Sequence, residues 1–156
     1  MRIRKKLITI ITMSLLILSV MSTIFGVQIS QVGAQGSASL TGTIYDSGVD
    51  TDGDEAFNYL KVGVEINVTE SGDYHVGVHS LLGTSEWQYI YVEDTETAHL
   101  DVGVHVVEVS LYGPMIYGSG IDAANVSYIR LSRIVNDYYE YLDSLSNVPL
   151  SKVYNY

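Results

Sequence analysis

The chain contains no cysteine. That absence excludes disulfide staples, thiolate catalysis, cysteine-ligated zinc and lipidation at a lipoprotein cysteine. Basic residues are scarce too, eight Lys and Arg against eighteen Asp and Glu in 156 residues. Four of the eight, Arg2, Arg4, Lys5 and Lys6, lie at the very start. Beyond residue 34, four basic groups therefore face eighteen acidic ones, a net charge of −14. Such a surface repels nucleic acid and anionic lipid, because counterion release needs clustered Lys and Arg. It attracts cations, and its acidity also favours solubility. A small domain without disulfides needs another stabiliser, and a bound metal is one of the usual choices.

Residues 1–34 have the pattern of an export segment. A basic head precedes an apolar stretch from Leu7 to Val27, and Val32 and Ala34 occupy the −3 and −1 positions of a signal-peptidase site. The stretch runs 21 residues, beyond the usual signal core of about 7–15, so an uncleaved membrane anchor is the alternative to a cleaved signal. Ser14, Ser19, Ser22, Thr23 and Gly26 dilute it and favour cleavage. Residues 35–156 are then one domain, secreted or held at the cell surface, meeting membrane through the N-terminal segment alone.

In that domain helical periodicity is missing and strand follows strand. "LKVGVEINV" puts Leu60, Val62, Val64, Ile66 and Val68 on one face and Lys61, Gly63, Glu65 and Asn67 on the other, the period of a half-buried strand. "ESGD" turns, and "YHVGVHS" repeats the alternation with Tyr74, Val76 and Val78. "EWQYIYV", "LDVGVHVVEVSL" and "NVSYIRLSRIV" read as further strands, with "EDTE" (93–96), "YGPM" and "GSG" as turns or loops between them. "SASLTGTIYDS" supplies a first strand and "NVPLSKVYNY" a last, while "NDYYEYLDSL" (136–145) is the one stretch open to a short helix. The expected fold is all-β: a single antiparallel sandwich of seven or eight strands, Ig-like or jelly-roll-like.

Asp50, Asp52 and Asp54 crowd into five residues just before the strand at Leu60. Alternate carboxylates in a tight bend repel one another unless a cation sits among them, and calcium takes six to eight hard oxygen ligands. In such a loop Asp50, Asp52 and Asp54 take positions 1, 3 and 5, the Ala56 carbonyl position 7 and Asn58 position 9. The alternative is an acidic loop held by Asx-turns without an ion. These residues resemble the calcium loops of EF-hand-like, dockerin-like and thrombospondin type-3 modules. They depart from them at Glu55, where glycine is usual, and at Lys61, where an EF-hand has a bidentate glutamate. A helix–loop–helix EF-hand is thus not expected, and the twelfth-position role passes to Asp46, Glu55 or water.

"YDSGVDTDGDEAFNYLKVGVEINVTESGDYHV", "HLDVGVHVVEVSLYGPMIYGSGID" and "VYNY" together resemble a β-sandwich module of prokaryotic, mostly archaeal, cell-surface proteins. They are also similar to bacterial prepeptidase C-terminal-type sandwiches. The resemblance covers most of residues 43–156 and implies an extracellular, non-catalytic module.

Asn67-Val68-Thr69 and Asn125-Val126-Ser127 are N-glycosylation sequons. "EWQYIYV" sets Trp87, Tyr89 and Tyr91 on one face and Ile90 and Val92 on the other. The expected reading puts the aromatic face in the core; burial of Ile90 and Val92 would instead make it an exposed ladder for stacking sugar rings. His75 and His79 fall on one face about 13 Å apart along a strand, too far to share a zinc ion, and His105 lies with inward-facing Val107, Val109 and Leu111. No nucleophile motif is present, and 122 residues without a long loop leave little room for a catalytic cleft. The expected function is a non-enzymatic, calcium-stabilised surface module whose partners are envelope glycans or surface proteins. A carbohydrate-binding module is the alternative within binding, and a secreted hydrolase or hydrolase inhibitor the alternative outside it.

Overall fold

The computed structural model describes residues 36–54, 56–85 and 87–154. Seven strands and one short helix follow in order: β1 (Ala38–Val49), β2 (Tyr59–Val68), β3 (Gly72–Gly83), β4 (Tyr89–Leu100), β5 (Gly103–Tyr112), α1 (Gly113–Ser119), β6 (Ala123–Val135) and β7 (Tyr138–Tyr154). They form two antiparallel sheets, β1-β2-β5 and β4-β3-β6-β7. This is the Ig-like member of the expected pair, with the fourth strand paired to the third rather than to the fifth.

Alternation explains why these segments are strands. The apolar face of β2, Leu60 through Val68, lies at or below 1% exposure and meets Tyr74, Val76 and Val78 of β3 across the core. β2 is central in its sheet, paired along its whole length with β5 and, except at Glu65, with β1, so a slip of one residue would turn its whole apolar set to solvent. Between His79 and Leu81 the β3 register shifts at Ser80, whose φ is +59°. The bulge lets His79 stay outside while Leu81 enters the core.

Three local readings need correction. The "EDTE" segment is not a turn but the middle of β4, an edge strand paired with β3 alone. Its exposed charges protect an open edge from pairing with another chain, a pattern that imitates a loop in sequence. The segment 136–145 is not helical. Asn136 and Asp137, with φ of +52° and +65°, form a two-residue hairpin turn, and Val135 pairs with Tyr138 across it. Positive φ at both positions is the type I′ geometry that matches strand twist. The helix lies instead where turns were expected. Pro114 opens α1 in its first turn, Gly120 closes it at φ +65° with its N–H on the Tyr117 carbonyl, and Ile116 anchors it in the core.

The sheets are clasped at one edge by β1 and β7. Asp46 Oδ1 accepts the Ser151 N–H at 2.7 Å, and Oδ2 accepts the Ser151 and Tyr154 hydroxyls at 2.8 and 2.7 Å. Asp143 Oδ2 accepts the Leu40 N–H at 2.9 Å, next to the irregularity between Leu40 and Ile44 that interrupts β1's pairing with β2. No helix among the described residues is long and apolar enough to cross a membrane; residues 1–35, with the expected export segment, the last two residues, Glu55 and Glu86 lie outside them.

Candidate functional site

The aspartate loop folds onto itself through its own side chains. Asp50 Oδ1 accepts the N–H groups of Asp52 and Gly53, and Asp54 Oδ1 accepts that of Ala56. Gly53 sits at φ +81°, which explains why the glycine stands there. Oxygens from Asp50, Asp52 and Asp54 lie within 4.8 Å of one another, a group able to hold a metal ion. Two ligands on opposite sides of one calcium ion are separated by about 5 Å, twice the usual 2.3–2.6 Å bond.

The other expected ligands also make hydrogen bonds of their own. Asn58 Oδ1 accepts both the N–H and the hydroxyl of Thr51, closing the loop across its base, and its Nδ2 lies 3.4 Å from Asp52 Oδ2. The Ala56 N–H donates to Asp54 Oδ1, a bond that does not involve the carbonyl expected at position 7. Asp46 is held by Ser151 and Tyr154, so it is a clasp between sheets and stands outside the aspartate group. Glu55 lies outside the described residues, and Lys61 pairs with Glu108 across β2 and β5. The loop is tied to the body at its C-terminal end. Phe57 covers Gly48 and meets the Tyr154 ring edge-on at 6.2 Å, and the Asn58 carbonyl accepts the first N–H of α1 from Gly113 at 2.8 Å.

The aromatic face of β4 is outside. Ile90 and Val92 are 1% and 3% exposed, while Trp87, Tyr89 and Tyr91 are 88%, 46% and 79% exposed. The expectation that these rings form core is therefore overturned, and the burial of Ile90 and Val92 is the reason. Trp87 does not continue the strand. It sits in the preceding turn at φ +74°, a conformation that a bulky side chain rarely adopts. Gln88 holds that turn: its carbonyl accepts the Gly83 N–H and its Oε1 the Ser85 N–H. Trp87, Gln88, Tyr89, Asn125 and Asn147 line an open cleft of about 480 Å³, within the range of small-ligand sites. Tyr91 lies farther along, in a second cleft of about 370 Å³ with Glu93 and Met115 of α1.

The two sequons differ. Asn67 is exposed on the outer face of β2. Asn125 is half-buried in the wall of the Trp87 cleft, and its Nδ2 donates to Asn147 Oδ1 at 2.6 Å. His75 and His79 are both on the outer face of β3, with Nδ1 atoms 3.0 Å from Thr97 Oγ1 and Glu93 Oε2 respectively. Burial lowers the His75 pKa first, with Arg130 and His79 adding to it. His105 Nε2 is 2.8 Å from the Asp101 carbonyl.

No family model and no curated protein matches this chain. Two solved structures of a bacterial adhesin from Mobiluncus mulieris, containing intramolecular disulfide, isopeptide and ester bond cross-links, are similar to it at a TM-score of 0.43 each. One is 12% identical over 76% of this chain and 57% of the adhesin chain, the other 14% identical over 71% and 53%. The chain thus spans just over half the length of those adhesin chains, and a likeness so distant carries no conclusion about function.

Proposed function

We propose that this is a non-catalytic binding module displayed outside the cell, whose partners are glycans or surface proteins of the envelope. The observation that carries it is the inversion of the "EWQYIYV" segment, with Ile90 and Val92 inside and Trp87, Tyr89 and Tyr91 outside. A tryptophan 88% exposed and held at positive φ contributes nothing to the core and carries a conformational cost. Such strain concentrates at binding sites. An indole beside a polar-lined cleft suits stacking on a sugar ring, with Gln88 and Asn147 as hydrogen-bonding groups. The carbohydrate-binding reading is therefore the one we favour among binding modules. In this reading Asn67 is the glycan acceptor, because a glycan on Asn125 would block the cleft.

Calcium at Asp50, Asp52 and Asp54 is part of the same proposal. The ion would neutralise the loop's repulsion and brace the segment that Phe57 and Asn58 tie to Gly48 and α1. Because the native state alone presents the site, calcium at 100 times its dissociation constant would add about 2.7 kcal/mol of stability. The test has two arms. On a glycan array, Trp87→Ala should abolish binding without changing the melting temperature. In thermal melts with calcium and with EGTA, Asp52→Ala should abolish the calcium-dependent shift while preserving the β-sheet spectrum. Full binding by the Trp87 variant would remove the platform, and an intact shift in the Asp52 variant would remove the metal site. Measurable hydrolytic turnover would replace the whole reading with the enzyme.

A further inference from the structure

The outer face of the four-stranded sheet departs from the charge of the rest of the molecule. Register places Asp73, His75, Gly77 and His79 of β3 beside His99, Thr97, Thr95 and Glu93 of β4. On the other side stand Ile134, Ser132, Arg130 and Tyr128 of β6, followed by Tyr139, Tyr141, Ser144 and Ser146 of β7. This face carries two carboxylates against one guanidinium and three imidazoles. Both carboxylates are engaged, Asp73 with His99 at 2.7 Å and Glu93 with His79 at 3.0 Å. Arg130 forms no ion pair among the described residues and lies over the Tyr141 ring at 5.6 Å. In a chain this acidic, an arginine free of carboxylates needs explaining.

Arg130 lines a groove of about 210 Å³ with His75, Gly77, His79, Ser132 and Tyr139. Gly77 is its floor. A Cβ there would stand 2.7 Å from His79 Nε2, so glycine lets that ring lean over the strand. Both imidazoles have Nδ1 occupied by β4, which leaves each Nε2 for the groove. Since a carboxylate accepts, His79 Nδ1 must donate to Glu93, and the neutral ring then offers an Nε2 lone pair. Tyr139 packs against the His75 ring at 4.7 Å and supplies an aromatic wall.

We infer that this groove binds a sugar carrying a carboxylate, of the hexuronic-acid type. Arg130 is the donor for the carboxylate, whose planar fork it matches. His79 Nε2 accepts from a ring hydroxyl, and the Tyr139 face takes the C–H side of the ring. A neutral sugar leaves Arg130 unused, and a bare carboxylate leaves the histidine acceptor and the aromatic wall unused. The volume suits one ring, below the usual size of drug-like sites. Glu93, the carboxylate beside the groove, is bonded to His79, and charges beyond about 8 Å are screened at physiological salt. The inference does not rest on the Trp87 cleft, which is lined by different residues.

Titration of the full chain with methyl glucuronide, methyl glucoside and acetate tests it, with amide chemical shifts mapping the site. The expected result is that the glucuronide binds at least tenfold more tightly than the other two, shifting the amides of Gly77, His79 and Arg130. Arg130→Gln should cost the glucuronide tenfold or more and remove its advantage over the glucoside, while Trp87→Ala leaves it unchanged. A glucuronide-terminated oligosaccharide that binds no more tightly than the methyl glycoside would mark a single-ring site; tighter binding would mark the end of a polymer, and both agree with the inference. Three results would overturn it: equal affinity for glucoside and glucuronide, undiminished binding by Arg130→Gln, or no glucuronide binding at millimolar concentration. Loss on Trp87→Ala with retention on Arg130→Gln would assign the sugar to the other cleft.

Discussion

Asp46 separates two roles that its position near the aspartate loop confuses, and replacing it with alanine measures the difference. Its carboxylate accepts three hydrogen bonds, and their donors, Ser151 and Tyr154, belong to a strand of the opposite sheet more than 100 residues away. The Ser151 bonds are exposed, so each is worth a few tenths of a kcal/mol at most. The Tyr154 bond is different, because that side chain is 1% exposed and its hydroxyl donates to a charged group. Hydrogen bonds of this kind contribute about 1.5–3 kcal/mol. Asp46→Ala should therefore cost about 2.5 kcal/mol, a fall in melting temperature of about 10 °C for a domain of this size. Tyr154→Phe should cost about 1 kcal/mol, and the double variant less than the sum of the two, because the partners share one interaction. Urea denaturation of the four proteins, repeated in calcium and in EGTA, supplies every number. The stabilisation by calcium should be the same with and without Asp46. If Asp46→Ala erased that increment, the aspartate would be a metal ligand and the clasp secondary. A loss under about 0.5 kcal/mol would show that the sheets do not depend on it.

Three further outcomes follow from other parts of the structure. Gly113→Ala should cost about 3 kcal/mol, since its Cβ would meet the Phe57 carbonyl oxygen and the Asn58 backbone, neither free to move; chemical denaturation checks this, and a neutral result would mean that α1 is not held against the loop. Ile90→Ala should cost about 2–4 kcal/mol as a buried aliphatic truncation, whereas Tyr91→Ala, on the opposite face, should stay within about 0.5 kcal/mol. His75 has its folded pKa below 6.5, through burial first. The unfolded chain then takes up a proton before the folded one does as pH falls. The stability present above pH 6.5 is lost progressively as pH drops through the folded value. Between pH 7.5 and 5, His75→Gln should lose less stability than the parent, and equal losses would contradict the shift.

Alternation made the interior legible, and its limits explain the corrections. In β2 and β3 one face meets core and the other solvent, so apolar and polar residues interleave with period two and name their own sides. The edge strand β4 breaks that code. From Glu93 to Thr97 neither face is covered, so every position is polar and the segment imitates a turn. At β7 the positive φ of Asn136 and Asp137 decides for a hairpin, although the tyrosines and leucine that follow suit either structure. The signs of α1 were in plain view, a proline at the first turn and a glycine just past the last. Gly and Pro also punctuate loops, so in sequence these signs read equally well as turns.

Sites divide along the same line. The aspartate loop is found from sequence because its carboxylates are two residues apart and one bend gathers them. Asp46 stands near that loop along the chain, yet its hydrogen-bonding partners are 105 and 108 residues distant. The groove under His79 is assembled across strands, from Gly77 and His79 on β3, Arg130 on β6 and Tyr139 on β7. No segment contains more than half of it. A sheet carries its binding chemistry in rows perpendicular to the chain, and a row becomes visible when register is known. That is why His75 and His79, judged along their own strand, suggested a zinc pair too widely spaced to form. The residue between them is the informative one: glycine at 77, paired with Arg130 in the register, lets the His79 ring lean over the strand, so the two histidines and the arginine line one groove.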